Sequence, residues 1–564
     1  MRYIRNGRIL LAAVLAASPW AWAQGGGRGR AAQAQQGTQQ GAPAQPPAPG
    51  SAQPPAATGR GGRGGAVPGA ATSEFYNYDT SAATGPAIPE SQPSETHQKI
   101  TIEGQALTYT ARAGYLPVRN ATTGQSEAHV FYTSYAKEGT GDAVRPVIFF
   151  FGGAPGVAAS WQEFGGLGPK RMKWAGDGMA GSPPYAWADN PHTLLGHADL
   201  VFVNPVGTAY SRPDTPARGP SFWTTTSDIA SLGEFVRSYL NTGNLRNAPL
   251  ILAGEDAGTG RAAGLAAYLI EHQIPVSGIA LLSMSMSPDA TAGDAQYLNL
   301  LPSYTMAAWR HKKLAPELNA MSAEQIAGQA TQFASREYLH ALYKGDRMTA
   351  DERAKAIATL SRLTGLSKAF LVSNDLRVSL ERFNTELLRD EHKAVSASDA
   401  RVTGFLPTPA GGGRGGGGGF FGGAPAAIDF NLANLAGGFE TAYESYLRRE
   451  LGFNPGNAIY YLTSGGIGTF TSTGNDDASL AAAFARDPNL HLFVAMNYYD
   501  LSAPFYATDF TLAHLSVSPE VRAHNITVSH YESGQMTYVD NKALAKLQGD
   551  LTTFINQAVS PARR

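Results

Sequence analysis

The chain has 564 residues, with 44 Lys+Arg against 45 Asp+Glu, so it can build a large core and carries almost no net charge. Near-neutrality gives no reason to expect nucleic acid or an anionic membrane surface as a partner. Cysteine is absent, which excludes disulfides, thiolate chemistry, Cys-bound metals and a lipidated N-terminal Cys.

The first residues read as an export signal. Arg2, Arg5 and Arg8 accompany a short apolar run from Ile9 to Ala17; Ser18-Pro19 breaks it, and Ala21-Trp22-Ala23 offers small residues for cleavage after Ala23. The run is shorter than the ~20 residues of a membrane span. Residues 1–23 are therefore expected to be a signal peptide. The mature chain is expected to be periplasmic or extracellular, without stable membrane insertion. Residues 24–73 are mostly Gly, Gln, Pro and Ala, with Arg28, Arg30, Arg60 and Arg63 and no acidic residue. Such a segment buries too little apolar surface to fold, and it reads as a disordered linker. Arg-Gly pairs occur in RNA-binding arms, but in an exported chain a flexible tether is the plainer reading.

Residues 74–564 form the expected folded domain. His129 to Tyr135 alternates as a strand does, and Pro146 to Phe151 is an apolar run ending in Gly152-Gly153. Asp199 to Val203 predicts another strand. Phe222 to Leu240 has helical spacing, with Asp228 and Glu234 among its polar positions. Leu250 to Ala253 (strand), Gly260 to Glu271 (helix) and Gly278 to Ser283 (strand) follow. This alternation predicts an α/β fold with a mostly parallel, doubly wound sheet. From about 288 to 451 the pattern turns helical, around a Gly-rich stretch at 411–423, and reads as a helical cap bearing a loop. A strand returns at His491 to Met496, and a last helix runs from Lys542 to about Val559.

Four segments carry chemistry. Gly254-Glu255-Asp256-Ala257-Gly258 lies between a strand and a helix, the setting of a nucleophile elbow, with Asp256 where Ser is usual. Phe151-Gly152-Gly153-Ala154-Pro155-Gly156 follows a strand, where a turn can aim N–H groups at an oxyanion. Asp500 in Tyr499-Asp500-Leu501 follows a late strand, as a triad acid would. Tyr531-Glu532-Ser533-Gly534-Gln535-Met536 precedes the last helix, where a triad His would be expected.

Together these segments resemble the serine carboxypeptidase family, in its bacterial branch, whose fold is the α/β-hydrolase fold. Gly152-Gly153-Ala154-Pro155-Gly156-Val157-Ala158-Ala159-Ser160-Trp161 is similar to the family's N-G-G-P-G-S-S-S-x-W. Asn204-Pro205-Val206-Gly207-Thr208-Ala209-Tyr210-Ser211-Arg212-Pro213 is similar to its D-P-V-G-T-G-Y-S-R-P. Leu167-Gly168-Pro169, Arg261-Ala262-Ala263-Gly264-Leu265 and Pro504-Phe505 also follow the family pattern. The resemblance implies a serine-type peptidase ancestry and assigns three triad positions: nucleophile at Asp256, acid at Asp500 and base at Gln535. It implies an oxyanion hole at Ala154 and Ala257. It implies contacts to the substrate carboxylate at Glu255, Gly152 and Gly153, with Gly152 replacing the family's Asn.

Ser-to-Asp and His-to-Gln remove the reacting groups, so the expectation is an exported, inactive or strongly impaired homologue that binds peptides or peptide C-termini. One alternative is residual peptidase activity through Ser160, Ser211 or Ser533. Another is an Asp-nucleophile hydrolase, with His530 or His524 moved into place. No cofactor and no metal are expected: no H-E-x-x-H spacing occurs, and His192 and His197 stand in a Pro-containing loop. The oligomeric state is left unassigned.

Overall fold

The computed structural model describes residues 92–560, apart from 103, 142–143, 154–155, 175–180, 285–286, 407–428, 457, 459, 463–469 and 471–475. The signal peptide, the 24–73 linker, Ala154 and the 411–423 loop lie outside the described residues.

One large sheet organises the chain. Its strands are β1 (Ser94–Ile102), β2 (Gln105–Arg119), β3 (Ser126–Lys137), β4 (Val147–Phe151), β5 (Asp199–Val203), β6 (Leu250–Asp256), β7 (Gly278–Met284), β8 (His491–Asn497) and β9 (Ile526–Tyr531). They lie in the order β1-β2-β3-β5-β4-β6-β7-β8-β9, with the two-residue strand Arg212–Pro213 beside β3. The first three strands and β5 pair antiparallel; from β5 to β9 every pair is parallel. Strand order reverses between β4 and β6, and such a switch point leaves a crevice at the strands' C-terminal ends. This is the α/β-hydrolase arrangement.

Both sheet faces are buried, which explains why the central strands read as unbroken apolar runs. Phe149 and Phe151 of β4 enter one core with Leu252, Leu281 and Val494. Ile148 and Phe150 enter the other with Ile251, Ala280 and Phe493. Helices α1 (Thr225–Thr242) and α2 (Gly258–Glu271) cover the first face. The last helix, Asn541–Val559, covers the second through Leu544, Leu547, Leu551 and Phe554.

The insertion between β7 and β8 divides between these layers. Helices Ala295–Arg310, Ala323–Phe333 and Ala350–Thr364 extend the first core through Tyr304, Ile326 and Leu360. The latter two start with capping boxes, Ser322 with Gln325 and Thr349 with Glu352. Helix Phe430–Arg449 belongs to the second core, where Phe439 stacks on Trp161 at 4.2 Å between centroids. No helix among the described residues is long and apolar enough to cross a membrane.

Candidate functional site

The elbow is forced by sterics. Asp256 ends β6 with φ 50°, in the left-handed region, which Asp and Asn tolerate better than most side-chain-bearing residues. A Cβ on Gly254 would sit 2.0 Å from the Gly258 carbonyl, and one on Gly258 would sit 2.3 Å from the Gly152 carbonyl. Only glycine permits this packing of strand, turn and helix. Asp256 is half-buried, and α2 starts two residues later. Negative charge there is favoured by the helix N-terminus.

The neighbouring turn is set by register. Phe151 of β4 pairs with Gly254 of β6, which brings Gly152-Gly153 beside Glu255-Asp256. A Cβ on Gly153 would lie 3.6 Å from Asp256 Oδ2, so the carboxylate rests against this turn. Two side chains hold the turn's carbonyls: Gln162 Nε2 donates to Phe151 O at 3.1 Å and Arg261 Nη1 to Gly152 O at 3.3 Å. Arg261 Nε also donates to Asp228 Oδ2 at 2.6 Å. Asp228 is therefore no ordinary polar helix position. It is buried at 6% exposure, and burial raises its carboxyl while Arg261 opposes the shift. Gly152 has no room for a side chain, since a Cβ would meet Val157 O at 2.4 Å. The turn has closed over the place of the family's Asn.

Glu255 points into the protein. Its Oε2 accepts from the Tyr538 hydroxyl at 2.8 Å, while Oε1 is buried without a hydrogen-bond partner among the described residues. Burial first, then the charges of Asp256 and Asp500, push this carboxyl up to about 8, against the pull of Tyr538. The shift favours the protonated form of Glu255 near neutral pH.

Asp500 is fully buried and fully bonded. Its Oδ1 accepts from Ser502 N at 2.9 Å, Ser502 Oγ at 2.7 Å and Ala503 N at 2.9 Å. Its Oδ2 accepts from Ser283 Oγ at 2.9 Å. Burial raises its carboxyl to about 7; these hydrogen bonds lower it and the charge of Asp256 adds to the rise. Ser283 sits at the β7 irregularity between Leu282 and Met284 with φ 47°, and a bulge of this kind re-aims a side chain. Asn497 Nδ2 donates to Ser283 Oγ at 2.7 Å, and Thr537 Oγ1 donates to Asn497 Oδ1 at 2.8 Å.

Gln535 joins this network by its backbone. Its carbonyl lies 3.3 Å from Ser283 Oγ and accepts from Asn497 Nδ2 at 3.5 Å, and its N–H donates to Ser398 O at 2.7 Å. The 396–401 segment of the insertion thereby clamps both loops: Leu501 N donates to Ala397 O at 2.9 Å and Ala400 N to Tyr499 O at 2.8 Å.

The other expected groups lie elsewhere. His530 stands on β9, stacked on Tyr498 at 5.3 Å, and His524 ends a short helix with its ring on Glu520 O. Ser160 accepts from Tyr460 and Ser211 bonds Asn204 O, both buried, while the Ser533 hydroxyl is buried without a hydrogen-bond partner among the described residues. None is on an elbow. The structure thus gathers Gly152, Gly153, Glu255, Asp256, Ala257, Asp500 and Gln535 at one end of the sheet. Sequence reading missed Ser283, Arg261 with Asp228, Gln162 and Tyr538. Only the run Arg261 to Leu265 carried a signal, through the family pattern.

Residues 102–364 match the sequence model of the serine carboxypeptidases. Over that span the chain is similar to the serine carboxypeptidases. The matched span includes the Gly152-Gly153 turn and the Gly254–Gly258 turn. A search of curated proteins gave no match. Similar solved structures include a soluble variant of monoglyceride lipase from Saccharomyces cerevisiae, 10% identical with TM-score 0.31, covering 85% of this chain and 100% of that one. A carboxyl esterase from Bacillus coagulans is 10% identical with TM-score 0.33, covering 80% and 99%. Esterase E22 is 14% identical with TM-score 0.32, covering 79% and 100%.

Proposed function

We propose that this chain is an exported serine-carboxypeptidase-like protein that binds peptide C-termini without cleaving them. One observation carries the reading. Asp500 Oδ2, the oxygen a base would use, accepts from the Ser283 hydroxyl, and no imidazole contacts Asp500 among the described residues. Acyl transfer needs a nucleophile that can lose a proton and a base that accepts it. The Asp256 carboxylate is a poor attacker of peptide carbonyls, and the Gln535 amide does not take up a proton. Losses of this kind cost roughly a millionfold in rate. Protonated Glu255, with one buried oxygen unpartnered, supports a retained hydrogen bond to a ligand carboxylate.

The test compares the purified mature chain with Asp256→Ser/Gln535→His, using N-blocked dipeptides and their C-terminal amides from mildly acid to neutral pH. The expected result is calorimetric binding of the free acids, weaker binding of the amides, and no turnover by the wild type. Turnover that persists in Asp256→Ala would overturn the reading.

Asp256 on an elbow also fits an Asp-nucleophile hydrolase, in which the carboxylate displaces halide to form an alkyl ester. His530, stacked on Tyr498, is then the nearest available candidate in sequence for activating water. An ester adduct on Asp256 after haloalkane treatment, read by mass spectrometry, would favour this second reading.

A further inference from the structure

A second opening lies at the C-terminal ends of β8 and β9. It is a cavity of about 450 Å³, a size typical of small-ligand sites. Gly153, Asp256, Ala257 and Gln535 do not line it.

Its apolar lining is aromatic: Trp309, Tyr498, Tyr499, His530 and Tyr531. Tyr498 and His530 lie nearly parallel, 20° apart at 5.3 Å between centroids. Tyr498, Tyr499 and Tyr531 are buried, so packing fixes their ring positions before any ligand arrives. Flat walls of this kind receive a planar ring.

Its polar lining favours an anion. Arg401 is held by Asp399 at 2.7 Å and Asp540 at 3.0 Å, and Lys546 by Asp550 at 2.7 Å, with Lys546 Nζ 4.2 Å over the Tyr531 ring. Arg310, Lys312 and Lys542 also line the cavity, are exposed, and form no ion pair among the described residues. The lining acids are Asp540, already paired with Arg401, and the exposed Glu324 and Glu532. Among the lining groups not held in an ion pair, three cations, Arg310, Lys312 and Lys542, stand against two acids, Glu324 and Glu532, beside aromatic faces. That combination strengthens charge-assisted hydrogen bonds to a ligand.

We propose that this cavity binds a small aromatic anion, a carboxylate or phosphate carried on a planar ring. The site is separate from the elbow and does not depend on its reading.

The test is calorimetry on the purified mature chain with indole-3-acetate, indole-3-acetamide, acetate and phenyl phosphate. Indole-3-acetate is expected to bind, with the amide and acetate each about tenfold weaker or more. Tighter binding of phenyl phosphate would assign the natural ligand to the phosphates, and weaker binding to the carboxylates. Lys312→Gln/Lys542→Gln alters two exposed side chains; it should weaken indole-3-acetate about tenfold and leave the melting temperature unchanged. Saturation with a blocked dipeptide should leave the affinity unchanged. No binding up to roughly 10 mM, equal binding of acid and amide, indifference to the double substitution, or competition by the dipeptide would each overturn the proposal.

Discussion

Asp256 and Ser283 both hold left-handed backbone at strand ends, with φ 50° and 47°. One aims a carboxylate at the oxyanion turn, and the other aims a hydroxyl at Asp500. Ser283 has a consequence for reactivation. In Asp256→Ser/Gln535→His, a new imidazole must compete with Ser283 for Asp500 Oδ2. Adding Ser283→Ala should therefore raise turnover above that of the double variant, measured on blocked dipeptides. In the wild-type background Ser283→Ala removes a donor from a buried carboxylate and should cost about 1–3 kcal/mol in denaturant unfolding. Gly152→Asn, which brings back the family residue, should not strengthen carboxylate binding. Its Cβ would meet Val157 O at 2.4 Å and Ala158 C at 2.7 Å, and such overpacking costs about 1–3 kcal/mol. The sequence displayed Asp256, Asp500 and Gln535 because each stands in a motif with local context. It hid Ser283, whose role depends on a residue 217 positions away and on a bulge that no composition announces.

Between elements, the Arg261–Asp228 pair ties α2 to α1 and both to the oxyanion turn. Both side chains are buried, at 7% and 6% exposure. Arg261→Leu leaves an uncompensated carboxylate and should cost about 3–5 kcal/mol. Asp228→Asn/Arg261→Leu should cost less than the sum of its single changes, a coupling that a double-mutant cycle reads directly. The central strands were legible because both faces are buried, so Val147–Phe151 and Leu250–Ala253 are apolar throughout. β1 was not: it reads SETHQKITI, with its exposed positions alternating along an edge strand. β9 is an edge strand too, half-exposed and without an apolar run. The helical character of the insertion was visible from periodicity. Its division between two layers was not, because periodicity shows that a helix has an apolar face and leaves its partner open.

Over the whole molecule, buried carboxyls govern the response to pH. Burial pushes Glu163 up to about 7, Glu255 to about 8, Asp500 to about 7, Glu440 to about 7 and Asp509 to about 6. Folded chains keep protons on these groups at pH values where unfolded chains, with ordinary carboxyls, have released them. Their contribution is complete below the unfolded values and is lost as pH rises through the folded ones. His192, His311, His491 and His530 act in the opposite direction: burial is the first cause lowering each, so they destabilise the fold only as pH falls below about 6.5. The two sets separate above that value, where the carboxyls are still titrating together with His97, which its hydrogen bond to Glu138 raises and which acts in the same direction as they do. The melting temperature should therefore fall between pH 6.5 and 8.5, by calorimetry at constant ionic strength. Glu255→Gln and Glu163→Gln should each flatten the slope, because neither amide has a proton to lose. Glu163→Gln also disturbs the hydroxyls of Tyr135 and Tyr443, which both donate to that carboxyl. It should lower stability at pH 6.5 while Glu255→Gln, whose one bonded oxygen faces Tyr538, lowers it less. A melting temperature that instead rises from pH 6.5 to 8.5 would mean that these carboxyls are ionised in the folded chain, and the protonated Glu255 proposed to meet a ligand carboxylate would fall with them.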